Sequence, residues 1–183
     1  MFSRLLSLIL LITISPLMII ISIIIFLDDG FPIFFTQKRS GINNSFFLIY
    51  KFRTMLRNTP DIPTHSLVSG KSFYIRSGQF LRKYSLDEIP QLINVLKGEI
   101  NFIGPRPALH NQDDLIKLRN NLGINNIKPG ITGYSQINGR DDLSIEKKVE
   151  LDNYYYKNRS FTLNLKIILK TLFQVFFPKN VSN

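Results

Sequence analysis

The run "LLSLILLITISPLMIIISIIIFL", residues 5–27, contains no charged side chain in 23 consecutive positions. As a straight α-helix it would be ~34 Å long, which is enough to cross the hydrocarbon core of a bilayer. A cleaved signal peptide is the first alternative. The apolar stretch is longer than a typical signal core, however, and no small-residue cleavage site follows it. The sequence therefore predicts a segment that resides in lipid.

Pro16 lies near the middle of this run. A proline here cannot donate a backbone hydrogen bond to the Ile12 carbonyl, and its ring crowds the same turn. The hydroxyl of Ser15 is close enough to serve the freed carbonyl, and a kink is expected. Two arms of ~17 Å each could enter and leave through one leaflet as a re-entrant hairpin. Because proline is also tolerated in spanning helices, the residues alone leave a kinked span equally open.

The charge of the chain is strongly basic. There are 23 Lys and Arg against 13 Asp and Glu, a formal net charge of +10, and only Arg4 of the basic residues precedes Gly30. Basic residues behind a membrane segment favour the cytoplasmic face for the part that follows. The excess charge fits an acidic partner: nucleic acid, an anionic bilayer surface or a phosphorylated small molecule. The absence of Cys excludes disulfides and thiolate metal sites.

A β-hairpin is predicted directly after the apolar run. "IFFTQ" (33–37) and "FFLIYKFRTM" (46–55) are rich in aromatic and β-branched residues, and "KRSGINNS" (38–45) supplies turn signals between them. Lys51 and Arg53 have the period-two spacing that places both cations on one strand face. The alternative is an ordinary solvated face.

Two further segments frame the rest of the chain. Residues 58–71 contain Pro and Gly with little apolar pattern, which predicts a variable loop. "FTLNLKIILKTLFQVFFPK" (161–179) predicts an amphipathic helix with Lys166 and Lys170 opposite an apolar face. Such a helix either lies on the membrane surface or packs in the core.

The stretch "YSLDEIPQLINVLKG" (84–98) begins with the adjacent carboxylates Asp87 and Glu88. Ser85 and Glu88 match a capping box, but that would put Pro90 at the fifth helical position, where it would lose an internal bond. With Asp87 as the cap no bond is lost, so the helix is expected to start at Asp87. A carboxylate at a helix start suits a structural cap, an oxygen nucleophile or a ligand for Mg²⁺, and the local pattern does not separate these uses.

Two downstream motifs indicate anion binding. In "NFIGPRPAL" (101–109) two prolines hold Arg106 in a stiff loop, where a guanidinium could grip a phosphate, although an ordinary Pro-rich turn is the alternative. "KPGITGYSQINGR" (128–140) places three glycines among polar residues with a cation at each end. Exposed backbone amides in such a loop can surround an anion, but the motif alone is a weak signal.

Taken together these residues resemble the small monotopic phosphoglycosyl transferases, the bacterial sugar transferase family. The resemblance rests on the Ser15-Pro16 break and on motifs in a fixed order: "FFTQKRSG", "YKFRTM", "RKYSLDEIPQLINVLKGE", "FIGPRP", "KPGITGYSQINGR" and "ELDNYYYKN". It covers most of residues 5–170. It implies an α+β fold with a re-entrant membrane hairpin at residues 1–27, continuous with a catalytic domain at residues 28–183 that contains the β-hairpin and several helices, amphipathic membrane-surface helices among them.

The resemblance also implies an activity. Asp87 would attack the sugar-bearing phosphorus of a UDP-sugar, release UMP and hold a phosphosugar, which a polyprenyl phosphate then accepts. Asp87 would contact Mg²⁺, and Glu88 would be the second catalytic acid. Phosphate or substrate contacts fall on matching motif positions: Lys51, Arg53, Arg82, Arg106, Lys128, Gly130, Gln136 and Arg140.

The implied setting is the cytoplasmic face of a bacterial inner membrane, in the first step of assembling a surface glycan. An N-acetylated sugar donor and a homodimer are expected, and no nucleic acid. Ser3 stands where the family often has Asp, and Tyr134-Ser135 replaces a frequent Trp-Ala pair. The rival hypothesis is a non-enzymatic, membrane-anchored basic module that binds anionic lipid or nucleic acid, and it predicts that Asp87 is dispensable.

Overall fold

A computed structural model of the protein describes residues 2–57, 59, 73–139 and 142–177. Most of the predicted 58–71 loop and Arg140 lie outside the described residues. The helices are α1 (Phe2–Asp29), α2 (Gly78–Lys83), α3 (Gln91–Lys97), α4 (Asp113–Asn121), α5 (Ile145–Asn158) and α6 (Phe161–Phe176). The strands are β1 (Phe34–Ser40), β2 (Phe46–Phe52), β3 (Asn101–Ile103) and β4 (Gly130–Thr132), and short 3₁₀ turns lie between several elements.

The mixture of helices and small sheets confirms the predicted α+β class. β1 and β2 form an antiparallel hairpin in which Phe34 pairs with Phe52 and Ser40 with Phe46, so the hairpin prediction is confirmed. The second strand ends at Phe52, earlier than the sequence pattern indicates. β3 and β4 form a second, parallel pair that brings residues 101–103 against residues 130–132.

α1 runs through Pro16 as one helix of 28 residues. The Ser15 hydroxyl donates to the Ile12 carbonyl at 2.8 Å, which confirms that it serves the acceptor that Pro16 leaves free. Because this bond replaces the missing one, the chain continues as a helix across the proline. The predicted helix-break-helix hairpin is therefore not shown by the structure and stays a prediction.

Only a few side chains of α1 are buried, and most of its apolar surface is exposed. Ser7, Ile21 and Ile25 are buried against the rest of the protein. Large apolar side chains elsewhere on the helix are exposed: Leu5, Leu8, Ile9, Ile12, Leu17, Ile19, Ile20, Ile23, Ile24, Phe26 and Leu27. The helix is long and apolar enough, by length and composition, to cross a membrane. It is a membrane candidate that also packs on the domain.

Both ends of α1 are bonded to later parts of the chain. Near its start the Ser7 hydroxyl donates to the Leu92 carbonyl at 2.6 Å. At its end Asp29 pairs with Arg53, with Oδ2 2.6 Å from Nη1. Between these points Ile21 and Ile25 join a core cluster with Phe52, Ile75 and Leu81. The N-terminal helix and the residues after it therefore form one packed body.

The prediction that a helix starts at Asp87 is wrong. Ser85 adopts a left-handed conformation with φ 54°, and a single 3₁₀ turn, Leu86–Glu88, follows it. The next α-helix begins at Gln91 with Pro90 as its N-cap. Proline tolerates this position because its missing N–H has no intrahelical acceptor there. The carboxylate pair, Asp87 and Glu88, thus lies in a turn between α2 and α3.

α6 confirms the predicted amphipathic helix. Ile167 is fully buried in a cluster with Ile137 and Tyr155. Most of its other large apolar side chains are exposed: Phe161, Leu165, Ile168, Leu169, Leu172, Phe173 and Phe176. The helix therefore packs on the domain through a narrow stripe and presents a wide apolar face outward.

Candidate active site

The carboxylate pair lies beside two cations from distant parts of the chain. Oε1 of Glu88 is 2.7 Å from Nζ of Lys51 on β2 and 3.1 Å from Nη2 of Arg106 in the 105–108 loop. The side chains of Lys51 and Glu88 are only 12% and 18% exposed. Burial opposes ionisation of Glu88, but Lys51 and Arg106 outweigh it and hold its pKa well below the usual range. Glu88 is therefore a fixed negative charge that holds two cations in place.

Asp87 has a different environment from its neighbour. It is 5% exposed, and no described residue donates a hydrogen bond to its carboxylate. Burial raises its pKa to about 6; the Lys51 charge opposes this, and the Glu88 charge adds to it. Arg82 and Arg106 also favour the charged form. Asp87 is thus a buried carboxylate near three cations, and no described residue donates a hydrogen bond to it.

Arg82 reaches this site from α2. Its Nη1 donates to the Tyr74 hydroxyl at 3.2 Å, and its guanidinium lies 5.4 Å from the centre of the Tyr74 ring. Three of the predicted phosphate-binding cations, Lys51, Arg82 and Arg106, are therefore brought together around Asp87.

Arg53 has another position. Its guanidinium is 5% exposed and bonds to the Asp29 carboxylate at 2.6 Å and to the carbonyls of Asp29 and Gly30. These contacts close the end of α1 where carbonyl groups lack intrahelical donors. Arg53 also borders the cavity, and its predicted phosphate contact stays a prediction.

The 128–140 motif is only partly directed toward the site. The N–H of Gly130 donates to the Pro105 carbonyl at 3.0 Å, which contradicts its predicted role as a free anion donor. A side chain at Gly130 would collide with the backbone of Gly104, so the glycine allows β3 and β4 to approach closely. Gln136 lines the large cavity over the carboxylate pair, whereas Lys128 is not among the described residues that line it. The Oε1 of Gln136 is buried without a donor among the described residues.

A buried ion pair in this region was not predicted from the sequence. Asp152 accepts hydrogen bonds from Nε and Nη2 of Arg119, at 3.1 and 2.5 Å, and its second oxygen accepts one from the Ser135 hydroxyl at 2.8 Å. Asp152 belongs to the recognised motif "ELDNYYYKN", which was a signal without an assigned role. Arg119 lies in α4, where its sequence context resembles that of any exposed helical arginine.

A large open cavity of about 2170 Å³ extends over the site. Its charged lining includes Lys51, Arg82, Asp87, Glu88 and Arg106. Its apolar lining includes Leu10 and Ile14 of α1 and Phe34, Phe35 and Phe52 of the hairpin. The cavity therefore joins a cationic, carboxylate-bearing centre to the apolar surface of α1, which suits a ligand with a phosphate head and a hydrocarbon tail.

The described residues contain no cluster of three or more His, Cys, Asp or Glu side chains suited to a metal ion. Mg²⁺ does not require one, because it commonly binds through one or two carboxylates, substrate phosphates and water. The Asp87 carboxylate fits that donor set, since no described residue donates a hydrogen bond to it.

Comparison with known proteins agrees with this geometry. The model of the family described as bacterial sugar transferase matches residues 1–178. The chain belongs to the bacterial sugar transferase family. It is 41% identical over 155 residues to an uncharacterized sugar transferase, EpsL, of Bacillus subtilis, covering 85% of this chain and 75% of the relative. It is 33% identical to the exopolysaccharide production protein ExoY of Sinorhizobium fredii over 93% of this chain and 82% of that protein.

A third relative carries a more specific name. The UDP-glucose:undecaprenyl-phosphate glucose-1-phosphate transferase of Escherichia coli is 35% identical over 95% of this chain. The match covers only 39% of that longer protein. As a bacterial sugar transferase, the protein is an enzyme of the phosphoglycosyl transferase class.

Proposed function

We propose that the protein transfers a sugar 1-phosphate from a UDP-sugar to a polyprenyl phosphate and releases UMP. The observation that carries this proposal is the contrast within the carboxylate pair. Glu88 is bound by Lys51 and Arg106, whereas Asp87 is buried among the same cations with no donor to its oxygens among the described residues. A carboxylate in that setting is arranged to attack an anionic phosphate.

The first step forms a bond between an Asp87 oxygen and the phosphorus that carries the sugar. The bond from that phosphorus to the oxygen bridging to UMP breaks, and UMP leaves with the electron pair. In the second step a phosphate oxygen of the lipid attacks the same phosphorus, and the Asp87 carboxylate is released. The product is a lipid diphosphate sugar, and Asp87 returns to its initial state.

The cations around Asp87 reduce the repulsion between a carboxylate and a phosphate. The Arg106 side chain is 37% exposed and lines the cavity, and its Nη2 bonds Glu88. Lys51 is nearly enclosed, so its charge acts at short range and with little screening by solvent. Asp87 would hold the Mg²⁺ ion together with the substrate phosphates. When bound, the ion neutralises charge on the phosphates.

The proposed setting is one face of the membrane, with α1 embedded without crossing it. Ser7 near one end of α1 and Asp29 at the other end both bond to the same packed domain. A helix that crossed the bilayer would carry its first turns about 30 Å away from a domain on the opposite side. The exposed apolar faces of α1 and α6 would contact lipid.

The test is a two-stage reaction with purified enzyme and Mg²⁺ in detergent or nanodiscs. UDP-sugars, N-acetylated and not, are supplied first without lipid, and about one UMP per active site is expected before the polyprenyl phosphate is added. Mass spectrometry should then locate the added sugar phosphate on the peptide that contains Asp87. If no UMP appears until the lipid is present, and no adduct is detected by a method that preserves acyl phosphates, the covalent route is wrong. If no UDP-sugar yields UMP even with lipid, the proposed function itself is wrong.

A further inference from the structure

The loop that carries Arg106 is fixed through its backbone. Four consecutive carbonyl groups, at residues 105–108, each accept a hydrogen bond from a different donor. The donors are the backbone amides of Gly130 and Ser40 and the guanidinium groups of Arg119 and Arg39, at distances of 2.9 to 3.1 Å. Since Pro105 and Pro107 also restrict φ, the loop has little freedom to reorient.

Of the two arginine side chains that donate to this loop, Arg119 is the more deeply buried. Its Nη1 donates to the Arg106 carbonyl at 2.9 Å, while Nε and Nη2 both donate to Asp152. Arg119 is 5% exposed and Asp152 is 1% exposed. Because the guanidinium is planar, gripping Asp152 on one edge fixes the direction of the nitrogen that holds the Arg106 backbone.

The ion pair of Arg119 and Asp152 also bonds a second segment that lines the cavity. Asp152 uses its other oxygen to accept from the Ser135 hydroxyl at 2.8 Å. Ser135 directly precedes the 3₁₀ turn that begins at Gln136, and both residues line the cavity. Residues 105–108 and 133–139 follow the carboxyl ends of the two parallel strands, β3 and β4, and one buried ion pair thereby joins these two loops.

A buried ion pair contributes little net stability by itself, because desolvation offsets most of the attraction. Here each partner uses its remaining hydrogen-bonding capacity on a segment that borders the site. The arrangement is therefore better explained by the positions it sets than by the stability it adds.

We propose that Arg119, oriented by Asp152, is a positioning residue that holds Arg106 where its guanidinium meets the substrate phosphate. The inference rests on the proposed function, because it assumes that a phosphate is the group Arg106 meets. The hydrogen bonds of the Arg119 guanidinium go to Asp152 and to the Arg106 carbonyl, so Arg119 acts through the Arg106 backbone.

The experiment is a double-mutant cycle on kcat/KM with UDP-sugar and polyprenyl phosphate. Arg119→Lys keeps the charge but cannot bond Asp152 on two nitrogens and Arg106 on a third. We expect it to lower kcat/KM about tenfold in the parent chain, and by less than about twofold when Arg106→Ala is already present. Equal losses in both backgrounds would overturn the proposal, because a general structural defect does not depend on Arg106.

Ser144→Ala is the matched control. Ser144 caps α5, the helix that carries Asp152, and accepts from the Lys147 amide at 3.2 Å. We expect this variant to lower the melting temperature and leave kcat/KM unchanged, which separates stability from positioning. If Arg119→Lys does not fold, Asp152→Asn takes its place in the cycle. Turnover by the parent enzyme tests the proposed function separately, so an additive cycle with an active parent refutes only the positioning inference.

Discussion

Lys51 and Glu88 form a largely enclosed ion pair, with Nζ 2.7 Å from Oε1, although 37 residues separate them in the chain. The pair joins β2 to the turn between α2 and α3. It neutralises Glu88 and leaves the adjacent Asp87 without a donor among the described residues. Two neighbouring carboxylates therefore have different surroundings because of a strand that is distant in sequence.

Asp87→Asn should abolish transfer. The amide cannot form an acyl phosphate, so we expect UMP release to fall at least about a thousandfold. Membrane association should persist, because α1 and α6 are unchanged. The measurement is UMP release by purified protein, with Asp113→Asn, an exposed acid at the start of α4, as the control of unchanged activity. Near-parent UMP release by Asp87→Asn would show that Asp87 is not the nucleophile.

The pH dependence of turnover should report the charge on Asp87. Burial raises its pKa to about 6, so kcat/KM is expected to fall as the pH drops below this value. Lys51→Gln removes a charge that lowers this pKa and should move the acid limb up by about one pH unit. Glu88→Gln removes a charge that raises it and should move the limb down. If the acid limb moved in the same direction in both variants, the electrostatic assignment would be contradicted. The control is Lys147→Gln, which breaks an exposed ion pair and should leave the acid limb where it is.

Asp87 should make the folded chain less stable as the pH rises, whereas its effect on activity is a loss as the pH falls. The pKa is raised from 3.8 to about 6, so the folded state holds the proton more tightly than the unfolded state. The resulting stabilisation is fully present below pH 3.8 and is lost as the pH rises through about 6. Asp87→Asn should therefore be more stable than the parent at pH 8, by on the order of 3 kcal/mol, and equal to it near pH 3.5. Thermal unfolding in one detergent at both pH values measures this; a difference that does not change with pH would refute it.

Membrane topology is open to direct labelling because the chain has no cysteine of its own. Ser3→Cys near the start of α1 and Asn111→Cys in an exposed loop are expected to react with an impermeant thiol reagent only after cells are opened. The reason is that both ends of α1 bond to the same domain. Labelling of Ser3→Cys in intact cells, with Asn111→Cys still protected, would show that α1 spans the bilayer.

Several features were predictable from local patterns. Segments rich in aromatic and β-branched residues, separated by turn signals, predicted the hairpin. The closeness of Ser15 to the turn that Pro16 disrupts predicted that Ser15 would serve the freed backbone group. The start of α3 was not predictable, because the pattern around Asp87 does not reveal that Ser85 adopts a left-handed conformation. The place of Arg53 and the pairing of Arg119 with Asp152 depend on contacts across 24 and 33 residues. Such contacts are decided by how elements pack, which local spacing does not encode.

The hydrogen bonds near the start of α1 can form only after α3 has been synthesised. Arg4 donates to the Lys97 carbonyl across 93 residues, and Ser7 donates to the Leu92 carbonyl across 85. Gly98 ends α3 in the left-handed conformation with φ 82°, which favours glycine at this position. At translation rates of about 5 to 20 residues per second, α1 leaves the ribosome on the order of ten seconds before its partner helix exists. In the proposed membrane setting, we therefore expect the nascent apolar helix to reach lipid before the domain folds onto it.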